Sequence, residues 1–182
     1  MPVTLTELLE HAQQDAALST PTGLPLPPLP DGVRIRDLPI FPDDRGQVTE
    51  LFDPRWGWHP EPMVFSYFFT LKPRSAKGWA VHLTHEDRYA IVRGEMQVLL
   101  YDARPEASTF GRFFELHLSD RRPRALSIPV GVWHADYNAS DKECICVNFP
   151  TIQYNHASPD KYRLPLRTPL IPYEFPADIQ GY

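Results

Sequence analysis

The segment SIPVGVWHADYN places Pro129, Gly131, His134 and Asn138 in a P-x-G-x-x-H-x-x-x-N arrangement. Proline fixes one backbone dihedral and glycine admits a positive one, so the pair sets a tight turn, and the strand leaving it aims His134 to one side. An imidazole delivered in this way suits proton transfer or metal ligation, and a core histidine satisfied by hydrogen bonds is the plainer alternative. Upstream, Gly94 after the run YAIVR is the next candidate turn glycine, and counting back from it reaches Asp87 and His82. Two imidazoles and a carboxylate form a facial set known for iron, so His82, Asp87 and His134 could hold iron, manganese or zinc. The same groups can move protons without a metal.

These residues must be positioned by strands. Runs rich in Val, Ile, Tyr and Phe recur with turn signals between them: VRIRDLPIF, MVFSYFFTL, WAVHLTH, YAIVRGEMQVLLYD, FFELHLS, RALSIPV and CICVNF. Seven or more strands at this spacing indicate an all-β sandwich or barrel that covers its sheet edges. The 21 prolines in 182 residues, more than double the usual share of about 5%, favour turns and β-edges over long helices. Phe65, Tyr67, Phe68 and Phe69 put rings on both faces of one strand, where core packing competes with lining a ligand pocket. Thr4 and Glu7 form a capping box ahead of Leu5, Leu8, Leu9 and Ala12, so residues 4 to about 18 read as an amphipathic helix. The organisation expected is therefore an N-terminal helix within residues 1–20, a proline-rich linker over 21–32 (PTGLPLPPLP and its flank), and one barrel domain from 33 to 182 ending in an extended tail.

A net charge of -5 leaves no basic excess for a nucleic acid polymer, although a single nucleotide needs only a few local cations. Cys144 and Cys146 alternate by two on one strand, too local a pair to staple a fold, and read as reduced core residues of a cytoplasmic protein. The N-terminus has no charged start with an unbroken apolar stretch, and no run approaches the roughly 18 apolar residues of a membrane span, so no membrane partner is expected.

The two turn-and-histidine segments resemble the paired motifs of cupin barrels, which implies a double-stranded β-helix (jelly roll) behind a short N-terminal helix. In metal-binding cupins a further histidine stands two residues before His82, where this chain has Ala80. Asp44-Arg45-Gly46 followed by Glu50, then Asp102-x-Arg104 leading to Ser108-Thr109-Phe110-Gly111, then IPVGVWH, resemble in this order the dTDP-4-dehydrorhamnose 3,5-epimerase family over residues 33–175. The resemblance implies a metal-free homodimer without cofactor that epimerises a nucleotide-linked 4-keto sugar by proton abstraction. It implies His82 as the base, in the stretch Lys77-Gly78-Trp79-Ala80-Val81-His82, with His134 beside it, or His85 in that role if the register shifts. Arg88 lies next to the place of the family lysine that assists at the carbonyl oxygen, and Asp87 lies on that place. Arg45, Glu50 and Lys77 fall where the family contacts the nucleotide. Three departures stand out: Val48 replaces an aromatic residue, Asn148 or Val147 replaces the tyrosine that serves as acid, and Thr168-Pro169 replaces an Asp-Pro whose aspartate supports the histidine. Tyr154, also a substrate-binding candidate, Tyr137 or Tyr67 could supply the missing acid. The alternatives are a metal-dependent cupin acting on a small molecule and a cupin that binds a sugar without turnover.

Overall fold

The computed structural model describes residues 3–14 and 29–181. Its strands, in chain order, are β1 (Arg34–Asp37), β2 (Ile40–Asp43), β3 (Gly46–Thr49), β4 (Tyr67–Leu71), β5 (Ser75–Val81), β6 (Asp87–Arg93) and β7 (Glu95–Asp102). They continue as β8 (Phe113–Ser119), β9 (Arg124–Ile128), β10 (Val132–Asn138), β11 (Cys144–Asn148), β12 (Tyr162–Arg163) and β13 (Gln180–Gly181). One sheet runs β1-β9-β6-β11-β4 and the other β12-β5-β10-β7-β8, with β2 and β3 forming a separate hairpin. The two sheets make a jelly roll. Run VRIRDLPIF yields two strands instead of one: Leu38 still follows the β1–β9 register in donating to the Pro123 carbonyl, but Pro39 has no N–H to continue the ladder, and Ile40 pairs with Thr49 instead.

The core fills the space between the sheets. Tyr89, Ile91, Leu126, Ile128, Cys144 and Cys146 from one sheet meet Val98, Leu100, Phe114, Leu118 and Val132 from the other. Each such side chain contributes about 1.5–3 kcal/mol by leaving water, which is what closes the roll. Both cysteines are free thiols within this core.

The C-terminal tail covers the outer face of the second sheet. Leu166, Ile171, Phe175 and Ile179 pack on Trp79, Leu99, Ala135 and Tyr137. The tail pairs twice with the free edge of β5, through β12 near Val81 and through β13 near Ser75, so it is fixed alongside the strand that ends just before His82.

The helix α1 spans Leu5–Glu10, with the Thr4–Glu7 capping box in place and no buried residue. It is shorter than the expected span: residues 12–14 are not helical, and 15–18 lie outside the described residues, as does the linker from 21 to 28. From Pro30 the chain is anchored, the Asp31 carboxylate accepting from the Ser108 amide at 2.7 Å. Among the described residues, no helix is long and apolar enough to cross a membrane.

Candidate active site

Strand parity decides which side chains enter the roll. On β6, Tyr89 and Ile91 belong to the core, so Asp87 shares their inward face; on β10, Val132 is in the core, and His134 and Asp136 follow it at intervals of two. His82 arrives just past β5, whose pairing with β10 slips: His134 faces Ala80 whereas Asp136 faces Lys77. This bulge adds one residue to β5 and lets Lys77 share a face with Ala80 and His82 while Ala76 and Trp79 pack outward under the tail. Gly131, at φ +81, sets the turn before β10 and donates its N–H to the His82 carbonyl at 2.9 Å, tying the two histidine segments together.

The imidazoles of His82, His85 and His134 converge on Asp87. His82 Nε2 lies 3.1 Å and His134 Nε2 3.5 Å from Asp87 Oδ2, and His85 Nε2 lies 3.7 Å from Oδ1. The opposite ring nitrogens are held too. His85 Nδ1 is 2.9 Å from the Asp160 carboxylate, His82 Nδ1 meets the Asp160 carbonyl, and His134 Nδ1 is 3.3 Å from the Val132 carbonyl. Asp160 also accepts from the amides of Leu83 and Thr84. Asp87 Oδ1 takes a 2.7 Å bond from the Asn148 amide, whose nitrogen also lies 2.9 Å from the Tyr67 hydroxyl.

Charge in this cluster is unevenly shared. Burial opposes ionisation of Asp87, but the hydrogen bonds from His134 and His82 outweigh it and hold its carboxyl well below the usual range. Burial likewise opposes protonation of His82, yet Asp87 prevails and its pKa is raised. His85 goes the other way, lowered by burial and by the neighbouring His82. Asp160 is brought to about 2: burial pushes it up, but the Leu83 amide and Thr84 overcome that. Asp136 is pushed up to about 6, chiefly by burial, and its Oδ1 has no hydrogen-bond partner among the described residues.

Two adjoining cavities open on these groups. One of about 170 Å³ is lined by Tyr67, His82, His85, Tyr154, Asp160 and Lys161. A smaller one of about 90 Å³ has Lys77, Tyr89, His134, Asp136, Arg163 and again Tyr67 and Lys161. His82, His134, Lys77 and Tyr154 are thus gathered at one site. Arg88 is not. Strand parity turns it to the outer face of β6, where its fully buried guanidinium donates to the carbonyls of Phe149, Glu61 and Pro62 and lies over the Phe52 ring, so its role is to clamp loops. Arg45 and Glu50 lie on and beside the β2–β3 hairpin and line neither cavity; Arg45 is solvent-exposed and pairs with Asp43 at 2.6 Å. The Asp102-x-Arg104 segment is a structural lock, with Arg104 and Thr109 both donating to buried Asp102.

Asp160, Lys161 and Asp136 were not among the residues expected from sequence. For Asp136 the signal was its spacing of two from His134. For Asp160 and Lys161 no local signal existed, since the tail reads only as polar and proline-rich.

His82, His85 and Asp87 each offer a ligand atom within 4.8 Å of the others, so His85 takes the place expected for His134, which approaches Asp87 to 3.5 Å but lies outside that group. Imidazole and carboxylate donors suit iron, zinc or manganese, and second ring nitrogens fixed by carbonyl or carboxylate acceptors are usual for metal-ligating histidines. The residues present fit such an ion.

The model of the dTDP-4-dehydrorhamnose 3,5-epimerase family matches residues 29–164. The chain belongs to this family. Within curated proteins it is similar to a probable low-salt glycan biosynthesis epimerase of Haloferax volcanii, 29% identical over 82% of this chain and 96% of that protein. It is also similar to a spore coat polysaccharide biosynthesis protein of Bacillus subtilis, 30% identical over 74% of this chain and 89% of the relative. Among solved structures, a dTDP sugar isomerase from Desulfovibrio desulfuricans superposes with a TM-score of 0.75 at 25% identity, covering 82% of this chain and 95% of the other.

As a member of the dTDP-4-dehydrorhamnose 3,5-epimerase family, the chain departs from the pattern at places the fold now locates. Thr168-Pro169 lines neither cavity, and the carboxylate beside a site histidine is that of Asp160. Of Asn148 and Val147, the two residues at the family tyrosine's place, Asn148 sits opposite Tyr67 in the β11–β4 ladder and Val147 opposite Phe68. Val48 is exposed on the hairpin.

Proposed function

We propose that the protein inverts a carbon beside the ketone of a nucleotide-linked 4-keto sugar by enolisation, with His85 as base and Asp160 as the carboxylate that orients it. The observation that carries this reading is the 2.9 Å pair of His85 Nδ1 and Asp160, opening on the 170 Å³ cavity in a member of an epimerase family. The base must be neutral with a free ring nitrogen: the lowered pKa of His85 keeps it neutral and its Nε2, 3.7 Å from Asp87, is beyond hydrogen-bonding reach, whereas His82 has one ring nitrogen 3.1 Å from Asp87 and the other on the Asp160 carbonyl. A proton next to a carbonyl is removable only if the developing oxyanion is stabilised. His82, favoured in its protonated form, and Lys161 supply positive charge in the same cavity. The epimerase named for the Haloferax relative supports the sugar class. This route uses no cofactor, and we place it in the cytoplasm of the cell as a homodimer.

The test is incubation with dTDP-4-keto-6-deoxyglucose in deuterium oxide, followed by NMR and mass spectrometry. Deuterium is expected at sugar C3, C5 or both, with His85→Gln and Asp160→Asn each slowing incorporation roughly 100-fold or more. Loss in His82→Gln with full activity in His85→Gln would return the base to His82. Folded wild-type protein that binds the sugar without exchanging any proton would mark a binding protein.

The convergence of three Nε2 atoms on Asp87 favours a second reading, a metal-dependent cupin using His82, Asp87 and His134 together with His85. Elemental analysis separates the two: stoichiometric iron, manganese or zinc, with exchange abolished by a chelator and restored by the metal, would select it.

A further inference from the structure

Inversion needs a second proton carrier. A base that returns the proton it took restores the original configuration, so the new C–H bond must be made by another acid in the same cavity. Among the residues lining the 170 Å³ cavity, Tyr67 and Tyr154 can donate a phenolic proton; His82 is held between Asp87 and the Asp160 carbonyl, and Lys161 supplies charge for the oxyanion. Tyr154 stacks its ring edge-on with His156, and its hydroxyl has no partner among the described residues to hold it. Tyr67 differs in three respects. It borders both cavities, so its ring stands between the His85 side and the His134 side. Its hydroxyl oxygen accepts from the Asn148 amide at 2.9 Å, which leaves the O–H hydrogen free to point into the cavity. The same amide is anchored at 2.7 Å on Asp87, which fixes the donor that would face a phenolate.

We propose that Tyr67 is the acid that protonates the enolate and that Asn148 is its positioning residue. The inference rests on the epimerase reading. Asn148 and Tyr67 are directly paired across β11 and β4, so the phenol reaches the site from the neighbouring strand, from the position that faces the residue standing in the tyrosine's place. In the step, the C–H electrons move into the enolate as His85 Nε2 takes the proton. The enolate then collapses to the ketone as a new C–H bond forms with the Tyr67 proton, and its O–H bond breaks to leave a phenolate facing the Asn148 N–H. Transfer of the proton from His85 to the phenolate through solvent restores both groups. Burial, with the Asp87 and Asp136 carboxylates nearby, pushes the phenol up, so Tyr67 enters each cycle carrying its proton.

The experiment is Tyr67→Phe with dTDP-4-keto-6-deoxyglucose in deuterium oxide, measuring solvent deuterium in recovered substrate separately from formation of the inverted product. The expected result is a fall in inversion of roughly 100-fold or more, with exchange into unreacted substrate within a few-fold of wild type. Retained exchange also shows that the variant is folded. Inversion at the wild-type rate would overturn the inference, as would equal loss of exchange and inversion, which would place Tyr67 in the enolisation step or in packing alone. A second variant, Tyr67→Phe with Asn148→Tyr, moves the phenol back across the strand pair; recovery of inversion supports the assignment. Wild-type protein that neither exchanges nor inverts the probe fails the epimerase reading itself, an outcome distinct from a selective Tyr67→Phe result.

Discussion

Asp136 shows how one residue in this site sets a balance between stability and protonation. Its carboxyl is buried, with Oδ1 unpartnered and Oδ2 3.4 Å from the Tyr89 hydroxyl, which is equally far from Asp87. A carboxyl whose folded pKa is about 6, against an ordinary 3.8, favours the folded state in its neutral form. That contribution is complete below about pH 4 and is lost as pH rises through 6. Asp136→Asn should therefore stabilise the protein above pH 6, by up to about 2–3 kcal/mol, with the gain vanishing near pH 4. Urea denaturation at pH 4.5 and 7.5 measures this, and a gain independent of pH would contradict it. At this scale the sequence was partly legible. His82 and His134 stand beside turn glycines and could be read, and so could Asp87 by its count from Gly94, whereas Asp160 acquires its meaning only from a tail that folds back across the strand ends. Arg88 was misread because one position along a strand separates the inner face from the outer.

At the scale of elements, the turn before β10 and the bulge in β5 do the positioning. A Cβ on Gly131 would meet Cγ and Cδ of Arg104 at 3.0 Å, and Arg104 cannot yield freely because it is paired with Asp102 at 2.7 Å. With φ at +81 as well, Gly131→Ala should destabilise by about 1–2 kcal/mol. Since the Gly131 N–H holds the His82 carbonyl, deuterium exchange should fall further than the loss of folded protein accounts for. Unchanged denaturation and exchange would show that the turn does not position the site. The turn was readable from Pro129 and Gly131, but the bulge was not: Lys77-Gly78-Trp79 carries no signal that Lys77 and Trp79, two apart, face opposite ways, and only the outward pocket that takes Trp79 decides it.

At the scale of the molecule, the β2–β3 hairpin stands apart from both sheets and exposes Ile40, Phe41 and Val48. Arg45 and Glu50, expected to meet a nucleotide, line neither site cavity of their own chain, so the proposed homodimer would bring the hairpin to a second copy. Gel filtration should give twice the protomer mass. Phe41→Asp with Val48→Asp should shift it to the protomer and weaken dTDP binding about tenfold, roughly 1.4 kcal/mol. A wild-type protein at protomer mass would exclude the dimer. The overall β architecture followed from alternation and turn residues, whereas the hairpin's detachment did not, because its strands alternate like any others.

The tail has one more effect, in the order of events during synthesis. Both sheets are complete apart from their tail strands by Asn148, but Asp160 and Lys161 follow, and the segment that holds them is tied to β5 through residues 162–164 and 180–181. A chain still emerging from the ribosome can close its roll with His85 not yet oriented, and by the proposed mechanism it becomes competent only once residues 160–181 have emerged and docked along β5.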